Sequence, residues 1–178
     1  LYTGGAPTAE SLGWRVGCQA YSFNRFTFYE AVDKTASIGL KYIEAYPGQR
    51  LSKDKPEDVK FDHAMSAELQ KEVLDYLAAK GVKLVNYGVV GISKDEAEAR
   101  QLFDFAKAMG IETIVSEPAK NQLPAVAKLA DEYGIKVAIH NHPKPSMYWD
   151  YNSVLKATDG LSKSVGSCAD TGHWPRSG

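Results

Sequence analysis

Short apolar runs recur along this chain, each preceded by an amphipathic stretch and a glycine step. Four times a helical pattern closes on glycine and turns at once into an apolar run: SIGLKYIEAY (37–46), KGVKLVNYGVV (80–90), MGIETIVSEP (109–118) and YGIKVAIHNH (133–142). In each, the glycine (Gly39, Gly81, Gly110, Gly134) fits the left-handed position that ends a helix, where a Cβ would be strained. RVGCQAYSF (15–23) and SVGSCAD (164–170) bring the predicted strands to six. These runs are too continuous to have one wet face, so they predict a parallel sheet covered by helices.

Helix starts are equally legible. Thr27 with Glu30 and Ser93 with Glu96 match the capping-box spacing, and Ser66 fits an N-cap for a helix whose Leu69, Val73 and Leu77 share one face. Pro124 suits a first turn. Alternating strands and helices predict an α/β fold, a parallel (β/α) TIM-type barrel. A closed eight-stranded barrel takes about 250 residues. The 178 residues here therefore predict about six of eight β/α units, with 1–13 as a polar N-terminal extension, 14–178 as a partial barrel, and the remaining units beyond Gly178. The long polar connection 47–65 reads as an active-site flap, with His63 on its surface.

Composition narrows the partners. With 44% hydrophobic and 24% charged residues and a net charge of −1, the chain carries no electrostatic footprint for a polyanion, so nucleic acid is not expected. No run is long and apolar enough to span a membrane. Cys18 and Cys168 sit in separate apolar runs and read as buried free thiols. The chain begins at Leu1 without an initiator Met, and its polar opening suits a tether left after a signal sequence or a cloning remnant, which leaves the compartment open between cytoplasmic and exported. A small-molecule partner is expected, and homo-oligomerisation stays open.

Ligands of parallel α/β folds gather at the carboxyl ends of the strands. Glu44, Asn86 with Tyr87, Glu117, His140 with His142, and Asp170 with His173 all fall at such ends. Alternation along a strand puts His140 and His142 on one side and Asn141 on the other. A lone strand-end histidine is ordinarily a hydrogen-bonded structural residue, and a lone glutamate a solvated one. Here several strands agree, which predicts one shared site. Mixed imidazole and carboxylate donors suit Zn or Mn, with Mg less favoured as nitrogen ligands increase. Trp149 and Trp174 are expected as substrate walls or packing.

The pattern VAIHNHP followed by CADTGHW on successive strands resembles the xylose isomerase-like TIM barrel superfamily of sugar phosphate isomerases and epimerases, which includes the endonuclease IV type of DNA repair enzyme. The resemblance runs from Trp14 onward and implies a divalent metal at Asp170, with His173 on metal or substrate. The family's fifth strand normally ends in a metal-binding Glu that often serves as the proton-transfer base. His140 stands there, keeping a ligand and removing a base. Glu117 stands where the DNA repair members carry a histidine ligand. The expected assignments are therefore His140, Asp170, His173 and Glu117 on the metal; Glu117, Glu44 and His173 in catalysis; and His142, Tyr87 and Trp174 on substrate. The expected function is a metal-dependent isomerase, epimerase or lyase acting on a keto sugar through an enediolate. An endonuclease IV-like phosphodiesterase and a non-catalytic carbohydrate-binding barrel are the alternatives. No glycine-rich phosphate cradle is visible, which favours an unphosphorylated sugar.

Overall fold

The four helix-ending glycines all take up left-handed backbone, with φ of 79°, 65°, 67° and 66° at Gly39, Gly81, Gly110 and Gly134. Each lets the chain reverse straight into a strand. In the computed structural model, which describes residues 8–177, the strands are β1 (Gly17–Gln19), β2 (Tyr42–Ala45), β3 (Gln49–Arg50), β4 (Lys60–Phe61), β5 (Lys83–Tyr87), β6 (Thr113–Ser116), β7 (Lys136–His140) and β8 (Val165–Cys168). The helices are α1 (Phe28–Ser37), α2 (Ala67–Ala79), α3 (Glu96–Ala108), α4 (Leu123–Tyr133) and α5 (Tyr151–Thr158). Residues 1–7 of the predicted N-terminal extension lie outside the described residues; Glu10–Leu12 forms a 3₁₀ turn.

Six strands form one sheet in the order β1-β2-β5-β6-β7-β8, and every pair in it is parallel. The spatial order follows the chain order without reversal. Each crossover therefore steps to the next neighbour in one sense, as in a barrel wall, whereas a doubly wound sheet reverses at a switch point. Alternation sorts the side chains. Ile43, Ala45, Tyr87, Ile114, Val137 and Ile139 are buried under the helices, while Glu44, Asn86, His140 and Cys168 belong to the opposite, concave face, where Glu44 meets Asn86 and His140 pairs in register with Cys168. Both cysteines are free and half-buried.

Local chemistry departs from expectation at three places. Helix α3 is capped by Asp95, which accepts from the Glu98 amide at 3.0 Å, instead of by Ser93. Asp95 and Glu98 repeat the capping spacing two residues later, and the carboxylate is the stronger acceptor. Ser93 instead accepts from the Asp95 amide and donates to Glu98. Strand β1 is shorter than its apolar run, because the Gln19 side chain accepts from the Tyr21 amide and starts a 3₁₀ turn over Ala20–Phe23. The 47–65 connection contains the antiparallel hairpin β3–β4. Leu51 and Phe61 are fully buried in it, and Phe61 packs on Phe28 at a centroid separation of 4.4 Å. The hairpin is thus a piece of the core more than a loose flap. His63 is half-buried, with Nδ1 3.2 Å from the Tyr87 hydroxyl.

At the amino ends of the strands one carboxylate ties three chain segments. Glu112, just before β6, accepts a two-pronged contact from Arg15 at 2.9 and 2.7 Å and a third from Lys83 at 2.7 Å. These hydrogen bonds hold the Glu112 carboxyl at about 2, well below its ordinary 4.5. A depressed carboxyl stabilises the fold above the unfolded-state value, and that contribution disappears as pH falls toward the folded-state value. The pair is more than a third exposed, so screening limits it. Glu112→Gln is expected to cost about 0.5–1 kcal/mol at neutral pH, and the gap from the parent should close between about pH 5 and pH 2. Urea denaturation across that range measures it.

Candidate active site

Three adjacent strands build the carboxyl-end constellation. Glu117 follows β6, His140 ends β7 with His142 two residues on, and Asp170 and His173 lie in the turn after β8. His140 sits at the centre: its Nδ1 is 3.5 Å from Glu117 Oε1, and its Nε2 is 3.6 Å from Asp170 Oδ2. His173 Nε2 is 3.5 Å from that same Asp170 oxygen. His142 Nδ1 is in direct hydrogen-bond contact with Glu117 Oε1. The three imidazoles form a cluster, with ring centroids 4.6, 5.8 and 5.0 Å apart. Glu117 also accepts from the Ser146 hydroxyl at 3.3 Å.

Asp170 divides its carboxylate between two tasks. Oδ1 accepts from the backbone amides of Gly172 and His173 at 2.8 and 3.2 Å, closing the turn, which leaves Oδ2 for the imidazoles. The backbone of Asp170 is fixed from the other side of the sheet. Asn141, fully buried, donates to the Asp170 carbonyl at 2.9 Å and accepts from its amide at 2.7 Å. Strand alternation gives this residue only a direction. The signal in the sequence was a polar side chain at a strand position facing the helix layer, where burial demands two-sided hydrogen bonding.

Two overlapping donor sets result, Glu117–His140–His142 and His140–Asp170–His173, each with one ligating atom per residue within 4.8 Å of the others. Two edges of the second set have the spacing of a coordination site. Metal–ligand distances of about 2.0–2.2 Å give tetrahedral edges of about 3.3–3.6 Å, and the two contacts to Asp170 Oδ2 measure 3.5 and 3.6 Å. Two imidazoles and a carboxylate are also the donor mixture of zinc- and manganese-type sites. On the other side of the ring, buried His140 Nδ1 makes no hydrogen bond and faces Glu117 Oε1 at 3.5 Å. Burial pushes the Glu117 carboxyl up, but contacts and charge from His140 and His142 outweigh it and hold the group below its usual range.

A cavity of about 570 Å³ opens beside the cluster, lined by His140, His142, Asp170 and His173 on one side and by Tyr21, Tyr46 and Gln19 on the other. Tyr21 meets Tyr46 edge-on at 5.2 Å.

Three predicted site residues fall elsewhere. Tyr87, expected on substrate, is fully buried on the helix side of β5 against Phe61 and Phe105; β2 and β5 shift register by one residue beside it, and Asn86 takes the inward position instead. Trp174, also expected on substrate, lies in a 3₁₀ turn, Trp174–Ser177, packed near Tyr151 at 6.4 Å. Glu44, expected in catalysis, lies beneath the cavity floor. Gln19 and Asn86 donate to its two oxygens at 3.0 and 3.1 Å, and Gln19 also donates to the Gly88 carbonyl. Burial pushes the Glu44 carboxyl up, against those two amides. With both oxygens engaged, Glu44 is a floor residue. Burial, reinforced by Glu44 and Asp170, likewise raises the Cys168 thiol to about 11.

Residues 32–177 match the family model described as xylose isomerase-like TIM barrel. The chain belongs to the xylose isomerase-like TIM barrel family. Among solved structures, this family member is similar to an uncharacterized protein from Parabacteroides distasonis ATCC 8503, at 34% identity and a TM-score of 0.78, over 90% of this chain and 65% of that one. It shares its fold with a D-tagatose 3-epimerase-like protein (15% identity, TM-score 0.58, 84% of this chain and 62% of that one). It also shares it with the 3-keto-D-glucoside 4-epimerase of E. coli in its apo form (13% identity, TM-score 0.59, 85% and 67%). The chain thus spans slightly less than two thirds of the first two. No curated protein matches it.

The Asn141 bracket gives the testable consequence of this geometry. Asn141→Ala should destabilise the fold by about 2 kcal/mol through the two lost buried contacts. Asn141→Asp should not rescue it, because a carboxylate has no proton to give the Asp170 carbonyl. Chemical denaturation of both variants measures the effect.

Proposed function

We propose that this chain carries the catalytic face of a divalent-metal-dependent isomerase or epimerase acting on a keto sugar or sugar derivative. The observation that carries the reading is the triangle of His140, Asp170 and His173, within ligating reach of one another and bordering a cavity with a third imidazole, His142, on its wall. Family membership supports it, as do two fold relatives, a D-tagatose 3-epimerase-like protein and a 3-keto-D-glucoside 4-epimerase.

His140, Asp170 and His173 would hold the ion, with Zn or Mn favoured over Mg by the two imidazoles. A bound divalent ion supplies Lewis acidity to a carbonyl oxygen and an adjacent hydroxyl, which lowers the cost of removing the neighbouring carbon-bound proton. The rest is the work of side chains. His142 lines the cavity, and its Nδ1 is engaged by Glu117. Its Nε2 is therefore the atom free to take a proton from one carbon and return it to the next, or to the opposite face. Tyr21 and Tyr46 form the facing wall, where aromatic faces suit the C–H surface of a sugar and their hydroxyls its oxygens. Gln19, braced on Glu44 and Gly88, fixes the floor. If the substrate carries a leaving group β to its carbonyl, the same proton removal ends in elimination.

Solvent deuterium exchange tests the reading. The protein, stripped with a chelator and reloaded with Mn or Zn, is expected to wash deuterium into the carbon next to the carbonyl of a keto sugar it accepts. His142→Gln should lower that rate by about 10²–10⁴-fold while the ion stays bound. A protein that retains neither ion, and exchanges no proton in any keto sugar tried, overturns the proposal.

A further inference from the structure

Glu117 stands between two imidazoles and belongs to neither the cavity wall nor a free surface. Its Oε1 contacts His142 Nδ1 directly and lies 3.5 Å from His140 Nδ1. His140 and His142 line the cavity, whereas Glu117 is set back behind them. The segment that follows it is anchored: fully buried Tyr148 donates to the Pro118 carbonyl at 2.7 Å, and Ser146 donates to Glu117 Oε2 at 3.3 Å.

The two donor sets compete for His140. A neutral imidazole has one protonated nitrogen and one lone pair, so it can ligate an ion through Nδ1 or through Nε2, but not both. Ligation through Nδ1 would place the ion between Glu117 and His142, which already bond to each other. Ligation through Nε2 would place it beside Asp170 and His173, where the gaps to Asp170 Oδ2 are 3.6 and 3.5 Å and no direct bond has to be broken. An ionised carboxylate only accepts, so any ring nitrogen bonded to it must carry the hydrogen. Both Nδ1 atoms face Glu117, that of His142 in direct contact and that of His140 at 3.5 Å, where the otherwise unpartnered nitrogen has no other acceptor.

We propose that Glu117 is a positioning residue, accepting from Nδ1–H of both His140 and His142 and so fixing the tautomer in which each ring turns its Nε2 lone pair to the cavity. One lone pair then serves the ion and the other the substrate proton, and a single carboxylate sets both. With an ion bound, this would be a carboxylate–histidine–metal relay, in which an outer carboxylate orients a ligand and raises its basicity. The role refines the reading above, which supplies the ion and the proton transfer. The orientation of the two rings is a property of the protein alone.

That independence decides the experiment. Long-range ¹⁵N–¹H correlation spectra of the ion-free, histidine-labelled chain, at a pH where the imidazoles are neutral, report the tautomer of each ring. His140 and His142 are expected as Nδ1–H, and both signatures should shift toward Nε2–H in Glu117→Ala, with His63 unchanged as an internal control. A parent protein with Nε2–H at His140 or His142, or a Glu117→Ala variant with unchanged tautomers, overturns the proposal whether or not the chain binds metal. Cobalt titration supplies the second readout. Glu117→Ala should bind one Co²⁺ about 10–100-fold more weakly than the parent, with an altered visible spectrum, and Glu117→Gln should fall between. Loss of stoichiometric binding in Glu117→Ala, matching Asp170→Asn, would make Glu117 a ligand and overturn its positioning role. Expected tautomers in a chain that binds no ion would uphold the role of Glu117 and overturn the metal-dependent function instead.

Discussion

The bracket between Asn141 and Asp170 is the contact on which the rest of the site depends. The ladder between β7 and β8 ends at His140 and Cys168, where the strands must part if a ligand is to reach their ends. Without the ladder, nothing in the backbone would hold the β8 turn in register with β7. The side-chain amide of Asn141 replaces it, offering one donor and one acceptor to one donor and one acceptor on Asp170. The pattern is that of a backbone pair, made from the buried face, so the concave face stays clear for His140, His142 and the Asp170 carboxylate. A strand end that must be both open and rigid has few other solutions, because a further backbone pair would close it.

Electrostatics then limits what the cluster can hold. Three imidazoles and two carboxylates lie within one small volume, half shielded from water. Glu117 is satisfied by imidazole contacts and by Ser146, and half of Asp170 by its own turn. Asp170 Oδ2 is left facing two imidazole nitrogens at distances longer than good hydrogen bonds. That separation is the spacing of a coordination edge, which is what the proposed ion site requires. Glu44 belongs to a different regime. Its two amide donors and its depth make it part of the scaffold that levels Gln19 under the cavity.

Much of this architecture was legible because it rests on strictly local rules. Glycine at a left-handed helix end, a Thr27–Glu30 box and six continuous apolar runs each specify their element within a few residues, and the resulting order leaves little choice of topology. Strand alternation placed His140 and His142 together for the same reason. What could not be read depends on register between strands or on contacts distant in sequence. Tyr87 is one residue from Asn86, and only the shift between β2 and β5 decides which of them faces Glu44. The 47–65 connection looked polar because its two buried anchors, Leu51 and Phe61, are separated by charged turns. Its packing partners Phe28 and Phe105 lie far away in the chain. Asp95 displaced Ser93 as a cap because two acceptors with the same spacing competed and the ionised one won.

The arrangement of the site also explains why a chain spanning about two thirds of its structural relatives already shows a coherent constellation. Glu117, His140, His142, Asp170 and His173 come from β6, β7, β8 and the turns that follow them, and these three strands are consecutive in the sheet. Their relative placement is fixed by two hydrogen-bonded ladders and the Asn141 bracket. None of these requires β1 and β8 to meet. The wall across the cavity, Tyr21 and Tyr46, comes from the opposite part of the sheet, after β1 and β2. Its distance from the imidazoles does depend on how far the six strands curve. The proposed ion site is therefore a property of one rigid flank, and the proposed fit of a sugar between that flank and the tyrosines is a property of the curvature of the whole sheet.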